Sequence, residues 1–418
     1  MWVGTQIDTT KLEHIKADRK GILEEKVSLA KQSVGLDALL IWAHGDPQSI
    51  DTLCELCAGM GIETYLWYPI LADIPDFEIP KSAKVVNHEG RRGYGEIGRW
   101  QRLGTYASGR EKFEFLCPNS EETISQIFNL YKNQLNRHDF DGVFLDRIRY
   151  PSAAMGFEML FSCFCDNCKR MFKQQFNMDL QNLRSAVEAH FGKRDIYSID
   201  LIKNAGSIHE ILYPEVMGDF LIFKNRSVYK VVKKFSDYAK TKGKKVGLDL
   251  FSHSLAGAVS QDYELLSTAC DWIKPMIYCH STGPAGFPLE LHSIIHSLLT
   301  LNRDLKLEGV AAGLSDILKV KLPETLNLLM TNGIPEELIF YEIKNINMLN
   351  LKSGVDIYPG FEVMKMDDLC VITEKILGSY LDNVFAQKAK GMVMSWDLLD
   401  MPAENLDFTK RYLREHTG

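Results

Sequence analysis

The chain is 418 residues long, 45% hydrophobic and 25% charged, with a formal net charge of −7. That length exceeds the usual single domain, but a barrel with long loops reaches it, and a core of that size needs no covalent staples. A negative balance with no basic run argues against a nucleic-acid partner. No apolar stretch approaches the roughly 20 residues that span a bilayer, which argues against a membrane partner.

Short β-branched or aromatic runs recur along the chain, each tied to helical periodicity. The first is Trp2–Asp8, with no basic segment and apolar run of a leader, so a cytoplasmic setting is expected. Ala38–His44 follows a helix carrying Leu23, Val27, Ala30 and Val34, stopped by Gly35. Ile62–Tyr68 is the third run and Gly142–Asp146 the fourth, preceded by an amphipathic helix with Asn119 and Glu122 placed for a capping box. Val246–Phe251 and Ile273–Tyr278 are the fifth and sixth. Leu338–Glu342 is read as the seventh, after a helix opened by Pro323 and closed by Gly333, and Met392–Asp397 as the eighth, after a helix around Leu369–Ala389.

Runs apolar throughout suit parallel strands buried on both faces. Eight strand–helix units predict an α/β fold, a (β/α)₈ TIM barrel with long loops after strands three and four. Residues 1–418 are expected to form one such domain, with a helical, metal-binding excursion at about 151–214. An open doubly wound sheet is the competing architecture, but Gly4-Thr5-Gln6 after the first strand is no phosphate fingerprint.

In a barrel of this kind the working residues sit where strands end. Those ends hold His44, Trp67, Asp146, Arg149, Tyr150, Asp249, Tyr278, His280, Glu342, Trp396 and Asp397. Rings offer flat surfaces to the C–H faces of a sugar and charged groups take its hydroxyls. Cleaving a glycosidic bond needs two carboxyls flanking it. Asp146 and Glu342 are the expected catalytic pair, on strands nearly opposite each other; the others are expected to bind substrate. A nearby Arg147 or Arg149 would favour an ionised Asp146. A barrel that binds glycan without cleaving it is the alternative, and a homo-oligomer is left open.

Of nine cysteines, three fall in Cys163-x-Cys165-x-x-Cys168. As thiolates they have the short spacing of half a zinc site, and Cys117 is the natural fourth ligand. Four protein ligands would make the ion, Zn²⁺, structural. Reduced thiols, or one disulfide with a spare, are the competing readings.

The stretch Phe140-Asp141-Gly142-Val143-Phe144-Leu145-Asp146-Arg147-Ile148-Arg149-Tyr150-Pro151 resembles the strand-four signature of glycoside-hydrolase-like barrel proteins. Lys274-Pro275-Met276-Ile277-Tyr278 and Gly391–Trp396 are similar to the sixth and last strands of sugar-hydrolysing barrels. The order from Cys117 to Phe172 resembles the β-galactosidases of glycoside hydrolase family forty-two, in which a Cys-Pro segment and a Cys-x-Cys-x-x-Cys hold zinc. The resemblance implies a zinc-bearing barrel acting on an oligosaccharide or glycoside. It implies acid/base duty on strand four and a nucleophile on strand seven, hence Asp146 and Glu342. That family has Asn-Glu where this chain has Asp146-Arg147, so the resemblance does not extend to its general acid.

Overall fold

A computed structural model describes residues 1–13, 18–92, 112–191, 197–213, 217–367 and 369–417. Parts of both long excursions, 93–111, 192–196 and 214, lie outside the described residues.

The barrel strands are β1 (Trp2–Ile7), β2 (Ala38–Trp42), β3 (Glu63–Pro69), β4 (Gly142–Asp146), β5 (Lys245–Phe251) and β6 (Trp272–Met276). A split seventh position follows, β7 (Asp356–Ile357) and β8 (Gly360–Glu362). A hairpin, β9 (Lys365–Met366) and β10 (Cys370–Val371), precedes the last barrel strand, β11 (Gly391–Ser395). Every barrel pairing is parallel. The sheet runs β5-β4-β3-β2-β1-β11-β8-β6, and pairing of β5 with β6 closes it. Helices cover its outside, as parallel strands require.

Alternation along the strands divides the packing in two. Ala38, Leu40, Tyr65, Phe144, Trp272 and Val393 fill the barrel interior, with Trp2, Trp67 and Tyr358 against them. Leu39, Ile41, Leu66, Val143, Leu145, Leu248 and Ile273 face the helical shell, which forms a continuous core. No described helix is long and apolar enough to cross a membrane.

The expected seventh strand is corrected. Leu338–Asn347 is an α-helix, buried at Leu338, Ile339, Glu342, Ile343 and Ile346. That spacing of three and four is a helical stripe; the short β-branched run resembled a strand only because its window was too narrow. The true seventh position is broken at Tyr358-Pro359, between β7 and β8, while Gly360 already pairs with Met276 and Val393. The capping box before β4 is also absent. Ser120, not Asn119, occupies the cap of helix Glu121–Arg137 and makes no capping hydrogen bond. Leu369 lies ahead of the helix expected around it, which spans Glu374–Ala386.

Candidate active site

A cavity opens at the C-terminal ends of the strands. Its lining includes Gln6, Trp42, Trp67, Asp146, Arg147, Arg149, Asp249, Trp396 and Asp397. Leu145 pairs with Leu248, so one step further along the register Asp146 stands beside Asp249. Both project into the mouth because they share the face of Phe144 and its interior neighbours.

Asp146 accepts a hydrogen bond from the Trp67 indole, Nε1 to Oδ2 3.0 Å, and another from the backbone N–H of Arg147. Arg147 has φ +52°, a left-handed conformation that costs a non-glycine residue about 1 kcal/mol or more. Its guanidinium pairs with the buried Asp73 and lies over the rings of Trp42 (5.1 Å) and Phe113 (4.5 Å). Arg149 is held between Phe115 and Phe251, 4.6 and 4.5 Å from their centroids. These cations are fixed by stacking as well as by charge.

Asp249 is 2% exposed and its pKa is pushed up to about 7. Burial is the main cause; Lys274 opposes it and the charge of Asp146 adds to it. The Lys274 ammonium, fully buried, stands 3.3 Å from either carboxylate oxygen of Asp249. It also donates to Gln6 Oε1 and Tyr278 Oη, each at 2.8 Å, and Ser395 Oγ donates to the same Gln6 oxygen at 3.1 Å. A polar floor therefore underlies the mouth. Burial lowers the pKa of Lys274, with Asp249 and Asp146 opposing.

The remaining residues singled out from sequence divide by position. Trp67, Arg149, Asp249, Trp396 and Asp397 line the mouth with Asp146. Tyr278 sits just beneath, edge-on to Trp396 at 5.4 Å. Asp397 is committed elsewhere: Lys11 lies 2.7 Å away, and the N–H groups of Asp8 and Leu399 donate to it. Burial lifts its pKa to about 6 despite Lys11.

Four others are not among the lining residues. His44 contacts the Asp73 carbonyl at 2.7 Å. His280 pairs with Glu336 at 3.0 Å. Tyr150 is buried against the cysteine cluster. Glu342, on its helix, accepts hydrogen bonds from the hydroxyls of Ser252 and Ser254 and from the Ser254 N–H. The carboxylate that does end the seventh position, Glu362, is filled by donors as well: the N–H groups of Cys279, His280 and Ser281 and the Tyr380 hydroxyl.

Lys274, Gln6 and Trp42 are among the site residues that sequence reasoning missed. For Lys274 the usable signal was a lysine inside a strand otherwise buried on both faces.

Cys117, Cys163, Cys165 and Cys168 converge behind the loop after β4. Their sulfurs lie within 4.8 Å of one another, and all four are buried. The sulfurs of Cys117 and Cys168 are 3.4 Å apart, those of Cys165 and Cys117 3.5 Å. Tetrahedral zinc with bonds of about 2.3 Å would hold sulfurs about 3.8 Å apart, so the set fits such an ion with small adjustments. The Val86 N–H points at Cys163 Sγ (3.3 Å) and the Asn119 amide at Cys168 Sγ (3.4 Å), as donors to thiolates do. Among the described residues no other group of three or more potential ligands comes together.

No family model and no curated protein matches the chain. It is similar in structure to the PgaB (BpsB) glycoside hydrolase domain from Bordetella bronchiseptica, with TM-score 0.55 and 13% identity over 99% of this chain and 98% of that one. It also matches the spore cortex-lytic enzyme SleL from Bacillus megaterium QM B1551, with TM-score 0.41 and 8% identity over 98% and 73%. A third match is a chitinase from Chromobacterium violaceum ATCC 12472, with TM-score 0.37 and 10% identity over 99% and 98%. The last two likenesses are too weak to bear on the fold. The first agrees with the closed barrel.

Proposed function

We propose that the chain is a glycoside hydrolase, acting on an oligosaccharide or glycoside through one barrel domain, with Asp146 and Asp249 as its working carboxylates. The observation that carries this is the pairing of two mouth-lining acids on adjacent strands in unlike surroundings. Asp146 accepts N–H donors from Trp67 and Arg147 and stands 4.0 Å from the Arg147 guanidinium, and it takes the part of the carboxylate that attacks or activates water. Asp249, pushed up to about 7, keeps a proton to give to the leaving oxygen. Unlike environments for two like groups are what acid–base division of labour needs.

Trp42, Trp67 and Trp396 supply ring faces for sugar C–H surfaces. Lys274 acts as a positioning residue, holding Asp249 from below. Glu342 is not retained in the pair, because its oxygens are taken by Ser252 and Ser254 away from the mouth. The likeness to the Bordetella bronchiseptica glycoside hydrolase domain supports the reaction class.

We further propose that the four cysteines hold a structural Zn²⁺, as the resemblance to family forty-two implies. The ion would brace the loop that carries Arg149 and Tyr150; its four protein ligands leave no open position for substrate.

The test is turnover across a panel of aryl glycosides and oligosaccharides by the wild-type chain and by Asp146→Asn. That variant keeps shape while removing the ionisable group. Its kcat is expected to fall by about 10²–10⁴-fold at unchanged fold. Near-normal turnover by a folded Asp146→Asn protein would move the role elsewhere. Oligosaccharide binding without hydrolysis by the wild type would favour a glycan-binding barrel.

A further inference from the structure

Alternation along β1 turns Val3 and Ile7 toward the helical shell and Gln6 toward the barrel interior, one residue short of the strand's end. Lys274 shares that interior with Trp272, two residues before it, and Ser395 shares it with Val393. Asp249 stands opposite Lys274 in register. Gln6, Lys274 and Ser395 are all fully buried from bulk solvent, yet Gln6 forms part of the cavity wall.

The two ends of the Gln6 amide are treated unequally. Oε1 accepts from Lys274 Nζ at 2.8 Å and from Ser395 Oγ at 3.1 Å. An ammonium has hydrogens and no lone pair, so it can face only the oxygen, and this fixes which way the amide lies. Nε2 carries two N–H donors and has no acceptor among the described residues. An unmatched donor inside a protein is unfavourable and calls for an explanation, a catalytic or binding role among them. As an acceptor for Lys274 alone, a glutamate would serve equally. What the amide adds is the donor, in the wall of the cavity that Asp146 and Asp249 line.

We propose that Gln6 is a specificity-determining residue of the mouth, its Nε2 donating to a hydroxyl oxygen of the sugar seated at Asp146 and Asp249, with Lys274 and Ser395 holding the amide in that orientation. This rests on the glycoside hydrolase reading above and adds a polar group in the floor that selects the sugar by one oxygen. A site built to hydrogen-bond a substrate oxygen discriminates strongly against the analogue lacking it, because the buried donor is then left unmatched.

The experiment is a kinetic comparison of a nitrophenyl glycoside that the wild type cleaves with its monodeoxy analogues. The enzymes are wild type, Gln6→Met and Gln6→Glu, with circular dichroism as the fold control. In the wild type, removing one particular hydroxyl is expected to lower kcat/KM by about tenfold or more. Gln6→Met should cleave the parent glycoside less efficiently by a similar factor and no longer distinguish it from that one analogue, since the two losses fall on the same contact. Gln6→Glu keeps an acceptor for Lys274 and Ser395 while removing the donor, so it should lose the same discrimination, and it decides if Gln6→Met does not fold. A residue that only supports the floor would instead slow the parent and every analogue by one common factor. That result, or a wild type indifferent to every deoxygenation, would overturn the role of Gln6 and leave the hydrolase reading standing. A wild type that cleaves no glycoside of the panel would overturn both.

Discussion

Two lysines are buried to zero exposure among the described residues, and their surroundings differ in kind. Lys274 stands under an open mouth and meets a carboxylate, an amide oxygen and a phenol. Lys224 stands in a closed site and meets a carbonyl, a phenol and three rings. Each charge is offset by what the chain can place beside it, but the offsets do different work. A carboxylate at a cavity can exchange its proton with a bound molecule. A carbonyl, a phenol and rings sealed from solvent can only hold the lysine and, through it, the chain. Burial of charge alone therefore marks no active site; access to the compensating group decides.

The sharpest way to break this contrast is at the mouth. Asp249→Asn should lower kcat by about 10²–10⁴-fold, the range for losing a general acid. In the wild type the fraction of Asp249 that carries a proton falls as pH rises through about 7, so activity should fall on the alkaline side with a midpoint there. Lys274→Met removes the charge that opposes burial. The pKa of Asp249 should then rise further, and the alkaline limb should move to higher pH. A pH–rate profile unmoved in Lys274→Met would dissociate the lysine from the acid.

A middle-sized effect belongs to the sulfur site. Cys168→Ser should lose the metal and cost about 3 kcal/mol, near the top of the range for single substitutions, read as a lower melting temperature with metal content measured alongside. Any residual activity should retain its wild-type pH profile, since the site is closed. A shifted profile would tie the two regions together.

The smallest effect is expected at Glu342. Glu342→Gln should leave turnover per folded molecule near wild type while costing about 1–3 kcal/mol, as Ser252 and Ser254 lose a charged acceptor. Urea unfolding checks it, and a large loss of kcat without a loss of stability would return Glu342 to the chemistry.

The contrast also shows which parts of the molecule could be read in advance. The closed parallel barrel was legible because seven of its strand positions are short runs buried on both faces, a local pattern that one-dimensional reading detects. The convergence of Cys117 with the Cys163–Cys168 triplet was legible from spacing, and the four sulfurs do meet.

The seventh position was not legible, for a physical reason. Asp356–Glu362 is interrupted at Tyr358-Pro359 and takes its strand character from parallel pairing with β6 and β11. Leu338–Asn347, richer in β-branched and aromatic residues, is helical because its apolar stripe packs on the barrel. The same limit applied to the site. Strand ends pointed to Asp146, Asp249 and Trp67. That Lys274 would reach Asp249, Gln6 and Tyr278, and that Glu342 would face two serines, depended on which strands became neighbours. Periodicity and spacing act along the chain and are written in the sequence; the partner of a buried charge is set across the barrel, after it has closed.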